Sequence, residues 1–165
     1  MIKIPVFARF LAVGLAVVAL VVLIALWKNK GAHVRLDGSI LKVRTIATDE
    51  NNSIAVLDIR LSNPADVPFV VKELEFTVED AKGNPVAGTT IAQMDLDHVL
   101  EYNKLIGPRY TPVLLARSKI SGGLPVDRTV AASFPISEAA LEARRNFRLK
   151  IIDVDGPVVE LVERR

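Results

Sequence analysis

An all-β fold with minor helices is predicted: an immunoglobulin-like antiparallel β-sandwich preceded by one amino-terminal transmembrane helix. Three observations predict it. Residues 10–27, FLAVGLAVVALVVLIALW, are 18 consecutive positions without a charge. Beyond them, apolar and polar residues alternate with period two in several short segments, as expected of strands with one wet face. Clusters of Asp, Asn, Gly and Pro separate those segments at the spacing of a sandwich.

A helix of that apolar length spans roughly 27 Å, close to the hydrocarbon thickness of a bilayer. In lipid the backbone must satisfy its own hydrogen bonds, so a helix is the only form this run takes there. Arg9 on one side and Trp27, Lys28 and Lys30 on the other are suited to anchor it at the two interfaces. A cleaved signal peptide has a shorter apolar region and a small-x-small cleavage site. Ile24-Ala25-Leu26-Trp27-Lys28 has no such site, so a retained anchor is expected. The chain then divides into a tail (1–9), a membrane helix (10–27), a basic juxtamembrane linker (28–33) and a sandwich domain (34–165).

Charge follows that division. The whole chain holds 21 Lys and Arg against 19 Asp and Glu. Without Lys3, Arg9, Lys28 and Lys30 the domain is near neutral and lacks the electrostatic footprint of a nucleic-acid binder. Cysteine is absent, which excludes disulfides, thiol catalysis and thiolate metal sites. Cationic residues flank the apolar run almost equally. The short tail and the signal-anchor pattern place the domain on the non-cytoplasmic side of a single-pass membrane protein.

In the domain, Val34 to Leu36 and Ile40 to Thr48 read as strands separated by the turn pair Asp37-Gly38. Asp49 to Ser53 is a second turn. Leu57, Ile59 and Leu61 alternate with Asp58, Arg60 and Ser62, and Pro64 and Pro68 mark a bend. Leu74, Phe76 and Val78 share one face, with Glu73, Glu75, Thr77 and Glu79 on the other. Ala81 to Asn84 closes a hairpin onto Pro85 to Gln93. Met94, Leu96, Val99, Leu100 and Leu105 recur at helical spacing, so Met94 to Ile106 is read as a short helix ended by Gly107-Pro108. Thr111 to Ile120 reads as a strand, as does the alternation through Val130, Ala132 and Phe134. Ser137 is placed to cap a helix reaching Arg145. Phe147, Leu149 and Ile151 begin a final hairpin turned by Asp155-Gly156.

Leu57-Asp58-Ile59-Arg60-Leu61-Ser62-Asn63-Pro64, followed by Phe69 to Val78 and a Gly-containing hairpin, resembles the Asn-Pro strand pattern of the water-stress and hypersensitive-response domain. That domain occurs in the second group of late embryogenesis abundant proteins and in bacterial relatives. The resemblance covers Ile40 to Gly88. It departs at Ala65, where a second Asn often follows the Pro, and at the inserted helix. It implies a β-sandwich that follows a membrane helix and serves stress-damaged clients.

The domain offers little chemistry. His98 lacks a second His in the domain to make a metal site, no Gly-x-Ser-x-Gly elbow is present, and Asp153-Val154-Asp155-Gly156 lacks the downstream ligands of a calcium loop. No catalytic residue, cofactor or metal is expected. The acidic stripe Glu73, Glu75 and Glu79 is read as a solvated face or a dock for a basic partner. Tyr102, Arg109 and Tyr110 form the most distinctive loop, of residue types enriched where proteins meet. The expected function is a membrane-anchored, non-enzymatic binding or accessory module with a protein partner. The alternative is a lipid- or hydrophobic-ligand-handling domain at the membrane surface.

Overall fold

The structure, a computed structural model, describes residues 14–24 and 36–163. Two compact units divide the chain, residues 1–33 and residues 34–165. In the first, residues 14–24 are helical (α1). Among the described residues no helix is long and apolar enough to cross a membrane. The spanning helix expected over 10–27 is therefore not shown. Its ends, with Arg9, Trp27, Lys28 and Lys30, and the 28–33 linker lie outside the described residues.

The second unit runs β1 (Asp37–Ala47), β2 (Ser53–Ser62), β3 (Phe69–Glu79), β4 (Pro85–Thr90), α2 (Gln93–Tyr102), a 3-10 turn (Lys104–Ile106), β5 (Lys119–Ile120), β6 (Val126–Phe134), α3 (Glu138–Glu142), β7 (Asn146–Asp153) and β8 (Val158–Val162). The strands form a curled antiparallel sheet in the order β1-β2-β6-β4-β3-β7-β8, with β5 on β3. Strand β4 makes the fold two-layered. Its Pro85 to Gly88 pair with β3, whereas Thr89 and Thr90 pair with Ser133 and Ala132 of β6. A single short strand thus passes from one layer to the other. At the open side the edges close up, because Gly38 of β1 lies so near β8 that a Cβ there would be 3.2 Å from Leu161.

Between the layers the side chains of alternate residues meet. Leu57, Ile59 and Leu61 of β2 and Val130, Ala132 and Phe134 of β6 face Leu74, Phe76 and Val78 of β3 and Phe147, Leu149 and Ile151 of β7. Phe147 is the hub, edge-on to Phe76 at 6.2 Å and to Phe134 at 5.5 Å between ring centroids. Such edge-to-face pairs match the positive ring edge to the negative face. A second cluster covers the outer face of the β1-β2-β6 layer, where Leu96 and Leu100 of α2 pack on Ile46, Ile54, Val56 and Ala131. That is why β2 is buried on both faces from Ser53 to Leu57.

Four expectations are corrected. Asp37-Gly38 is not a turn, since β1 runs straight through it. Gly38 is required by close approach, because a Cβ would lie 2.6 Å from the Arg60 carbonyl. Thr111 to Ile120 is not one strand. Leu114 N–H donates to the Thr129 carbonyl beside β6, and then Arg117 N–H donates to Val71 of β3, so this segment changes layers as it runs. The returning strand of the first hairpin stops at Thr90 rather than Gln93, and the Met94 helix divides into α2 and the 3-10 turn. The β3 alternation holds, re-phased by a bulge between Val71 and Glu73.

Burial of Phe76 and exposure of Glu75 give opposite outcomes for neighbouring substitutions. Phe76→Ala should cost about 3–5 kcal/mol through the cavity it leaves, out of a total of about 5–15 kcal/mol for such a domain. Glu75→Ala should stay within about 0.5 kcal/mol. Urea melts of both variants check the register, since a one-residue slip would exchange the two results.

Candidate functional site

The segment from α2 to Pro112 lies against the outer face of β1, β2 and β6, and a chain of polar contacts attaches it there. Arg44 of β1 is buried, with its side chain only 7 % exposed against 22 % for Asp58. One guanidinium nitrogen, Nη2, donates to both Asp58 oxygens at 3.0 and 3.1 Å. The other, Nη1, reaches the carbonyls of Ile106, Gly107 and Pro108 at 3.2–3.5 Å. Only a planar fork can grip a carboxylate and a run of carbonyls at once. Gly107 allows the run to turn inward, since its φ of 83° is in the region that a side chain disfavours. Asp58 also accepts from Thr129 Oγ1 at 3.2 Å, and Thr129 Oγ1 lies 2.8 Å from Thr111 Oγ1.

That support holds two tyrosines outward. Tyr102, at the end of α2, is 87 % exposed and Tyr110 is 78 % exposed, with Met94 also exposed on α2. Arg109, expected beside them, is committed elsewhere. Its Nε donates to Asp97 at 3.0 Å and its Nη1 to the Thr111 carbonyl at 3.1 Å, tying the loop back to α2. Of the three expected residues, Tyr102 and Tyr110 are exposed and Arg109 fixes the loop. Exposed aromatics on a pre-ordered support bind at low entropic cost.

A second constellation lies at the Asn63-Pro64 bend. Asn63 is fully buried and satisfied on both sides of its amide. Its Nδ2 donates to the carbonyls of Val67 and Ile120, each at 2.9 Å, and its Oδ1 accepts from Ala65 N–H at 2.9 Å. One side chain thereby fixes the β2–β3 loop and ties it to the loop before β6. Gly122 fits beneath, where a Cβ would meet the Ala65 carbonyl at 2.1 Å.

The acidic stripe is largely neutralised by its neighbour β7. Glu79 pairs with Arg148 at 3.1 Å and Glu75 lies 3.9 Å from Lys150. Beside it, where β3 and β4 diverge, Glu73 to Thr77 and Ala87 to Thr90 line an open groove of about 380 Å³. Among the described residues no group of three or more His, Cys, Asp or Glu side chains is placed to hold a metal ion, and His98 is exposed. Arg44 and Asn63 were not legible as contact centres in the sequence. Arg44 occupies an alternating strand, where a charged residue reads as solvent-facing until α2 is known to cover it.

By its strands and layers the domain is a curled antiparallel β-sheet protein with a helical cover on one face. No family model matches the chain, and no curated protein sequence matches it. Among solved structures it is similar to an uncharacterized beta-sandwich protein from Clostridium difficile 630, at 10% identity, over 79% of this chain and 86% of that one, with a TM-score of 0.40. It is also similar to the Iho670 flagellar-like filament, at 11% identity, over 96% of this chain and 97% of that one, with a TM-score of 0.32.

Removing the Arg44 fork should both destabilise and loosen. Arg44→Ala leaves the Asp58 carboxylate without its cation and should cost about 3 kcal/mol, the low end for breaking a buried pair. Arg44→Lys should recover little of this, because a point charge cannot reproduce the fork. Limited proteolysis should then cut between Asn103 and Tyr110 faster than in the parent. Unchanged cutting would show that the loop does not depend on Arg44.

Proposed function

We propose that the chain is a membrane-anchored, non-enzymatic binding module that offers the Tyr102–Tyr110 flank of a β-sandwich to a protein partner. The observation that carries it is the pairing of two almost fully exposed tyrosines with a buried arginine latch. Solvent contact gains nothing from ordering a loop so heavily, whereas a partner surface does. The anchor rests on the uncharged run 10–27 with its flanking Arg9, Trp27, Lys28 and Lys30. In this reading the domain lies on the non-cytoplasmic side.

The immunoglobulin-like assignment is supported by the pairing order. β1-β2-β6-β4 and β3-β7-β8 correspond to the two strand groups of that fold, with β4 as the strand that changes sheets. Membership in the water-stress and hypersensitive-response family remains part of the proposal, with stress-damaged proteins as the partner class it implies. The Asn63 clamp gives the Asn-Pro pattern a physical role in it. Phe69, Phe76, Phe134 and Phe147 fill the space between the sheets, and this weighs against the lipid-handling alternative.

Two measurements test the proposal. A cysteine at Asn51, in a chain that has none, should react with a membrane-impermeant reagent in intact cells. Reaction only after lysis would put the domain in the cytoplasm. A photo-cross-linking residue at Tyr102 should give one discrete adduct that Tyr110→Ser abolishes while leaving the melting temperature unchanged. An adduct unaffected by Tyr110→Ser, or equally formed from Lys82, would contradict the assigned surface.

A further inference from the structure

The exposed arc of α2 has a composition that selects what can lie on it. Met94, His98 and Tyr102 are spaced four residues apart and all are exposed, so at about 3.6 residues per turn they form one stripe along the helix. Asp95 and Glu101, also exposed, fall at the two margins of that stripe. The opposite side of the helix serves the fold, where Leu96 and Leu100 pack on Ile46, Ile54, Val56 and Ala131.

No cation within the helix balances those carboxylates, because α2 has no Lys or Arg. Arg109 reaches back to α2, but its fork is taken by Asp97 at 3.0 and 3.4 Å. Glu101 stands in the last turn, where the aligned peptide dipoles already leave partial negative charge and a cation is favoured instead.

The turn between β1 and β2 adds charge of the same sign. It continues directly from Ile46 and Ile54, on which α2 packs, and it exposes Asp49 and Glu50. The Asn52 side chain and the N–H groups of Asn51 and Asn52 donate to Asp49 and hold its carboxyl below the ordinary range, which keeps it charged. Against these four carboxylates stand two exposed cations. Lys104 lies past the helix end, and Lys42 lies beyond Arg44 on the side of β1 away from that turn.

Exposed tyrosines amid an excess of negative charge define a chemistry. A partner's Lys or Arg is attracted by the carboxylates and can stack on the face of Tyr102 or Tyr110, while apolar neighbours of that cation cover Met94 and the rest of the rings. An uncharged apolar segment would take Asp95 and Glu101 out of water without a partner, which opposes binding. An anionic surface would meet like charge.

We infer that the partner of the Tyr102–Tyr110 flank is a protein segment in which Lys or Arg is interspersed with apolar residues, its cations set against Asp95, Glu101 and the tyrosine faces. This rests on the protein-binding reading above and narrows its partner class.

The test places a photo-cross-linking residue at His98, the centre of the stripe, in the full chain, so that both tyrosines stay. Mass spectrometry of the adduct should find Lys or Arg within a few residues of the linked position. A synthetic peptide of Leu and Lys should compete the adduct away, and its counterpart of Leu and Glu should not. Glu101→Lys should lower the yield about three- to tenfold, and Lys104→Glu should raise it. Because a cation suits the end of a helix, Glu101→Lys should leave the melting temperature unchanged or higher, so that a lost adduct is not a lost fold. An adduct whose yield ignores both charge reversals, or whose partner segment lacks Lys and Arg, overturns the cationic partner and leaves protein binding standing. No adduct from either His98 or Tyr102 removes both readings.

Discussion

The corner at Gly88 is the constraint on which the rest of the structure depends. Strand β4 must leave β3 and join β6 within two residues, and it does so with its backbone laid against the ring of Phe134. A Cβ on Gly88 would stand 2.5 Å from two atoms of that ring. The ring has no room to yield, because Phe134 is buried edge-to-face against Phe147, which in turn meets Phe76. The absent side chain therefore lets the strand change layers, and the three edge-to-face aromatics hold the layers at the distance this crossing requires.

Once the layers are set, their outer faces differ. The β3–β7 face is wet and charge-paired, through Glu79–Arg148 and Glu75–Lys150. The β1-β2-β6 face is apolar around Ile46, Ile54 and Val56, and α2 covers it. Covering that face draws Arg44 and Asp58 out of water, which is costly for two charges unless they find each other and further partners. The carbonyls of Ile106 to Pro108 and the Thr111–Thr129 hydroxyl pair supply those partners. The same burial that closes the fold thus orders the loop bearing Tyr110. The order of that loop comes from the packing beneath it.

Much of this was legible in the sequence wherever the signal is local. Period-two alternation located Leu57 to Leu61, Leu74 to Val78 and Phe147 to Ile151. The chain turns where expected at Asp49 to Ser53, at Ala81 to Asn84 and at Asp155-Gly156: Asp49 and Asp80 accept from following N–H groups, and Gly156 adopts φ 102°. What depends on a distant partner was not legible. Gly38 reads as a turn residue because its reason, the Arg60 carbonyl, is on another strand. Leu114 and Ile120 read as one strand although they serve two layers. Arg44 reads as solvated because its cover is far along the chain. Tyr102 and Tyr110 stood out by rarity alone, while the role of Arg109 as a brace needed the position of Asp97.

One missing side chain and one aromatic ring together set the two-layer geometry, and a double-mutant cycle on Gly88 and Phe134 tests this most directly. Gly88→Ala alone should destabilise by about 1–3 kcal/mol through overpacking. Phe134→Leu removes the ring atoms that the new methyl would strike, so the double variant should be more stable than the sum of the single losses by about 0.5–3 kcal/mol. Strict additivity in urea melts would show that Gly88 does not meet Phe134 at the corner, and the account of how the sheet folds on itself would fail.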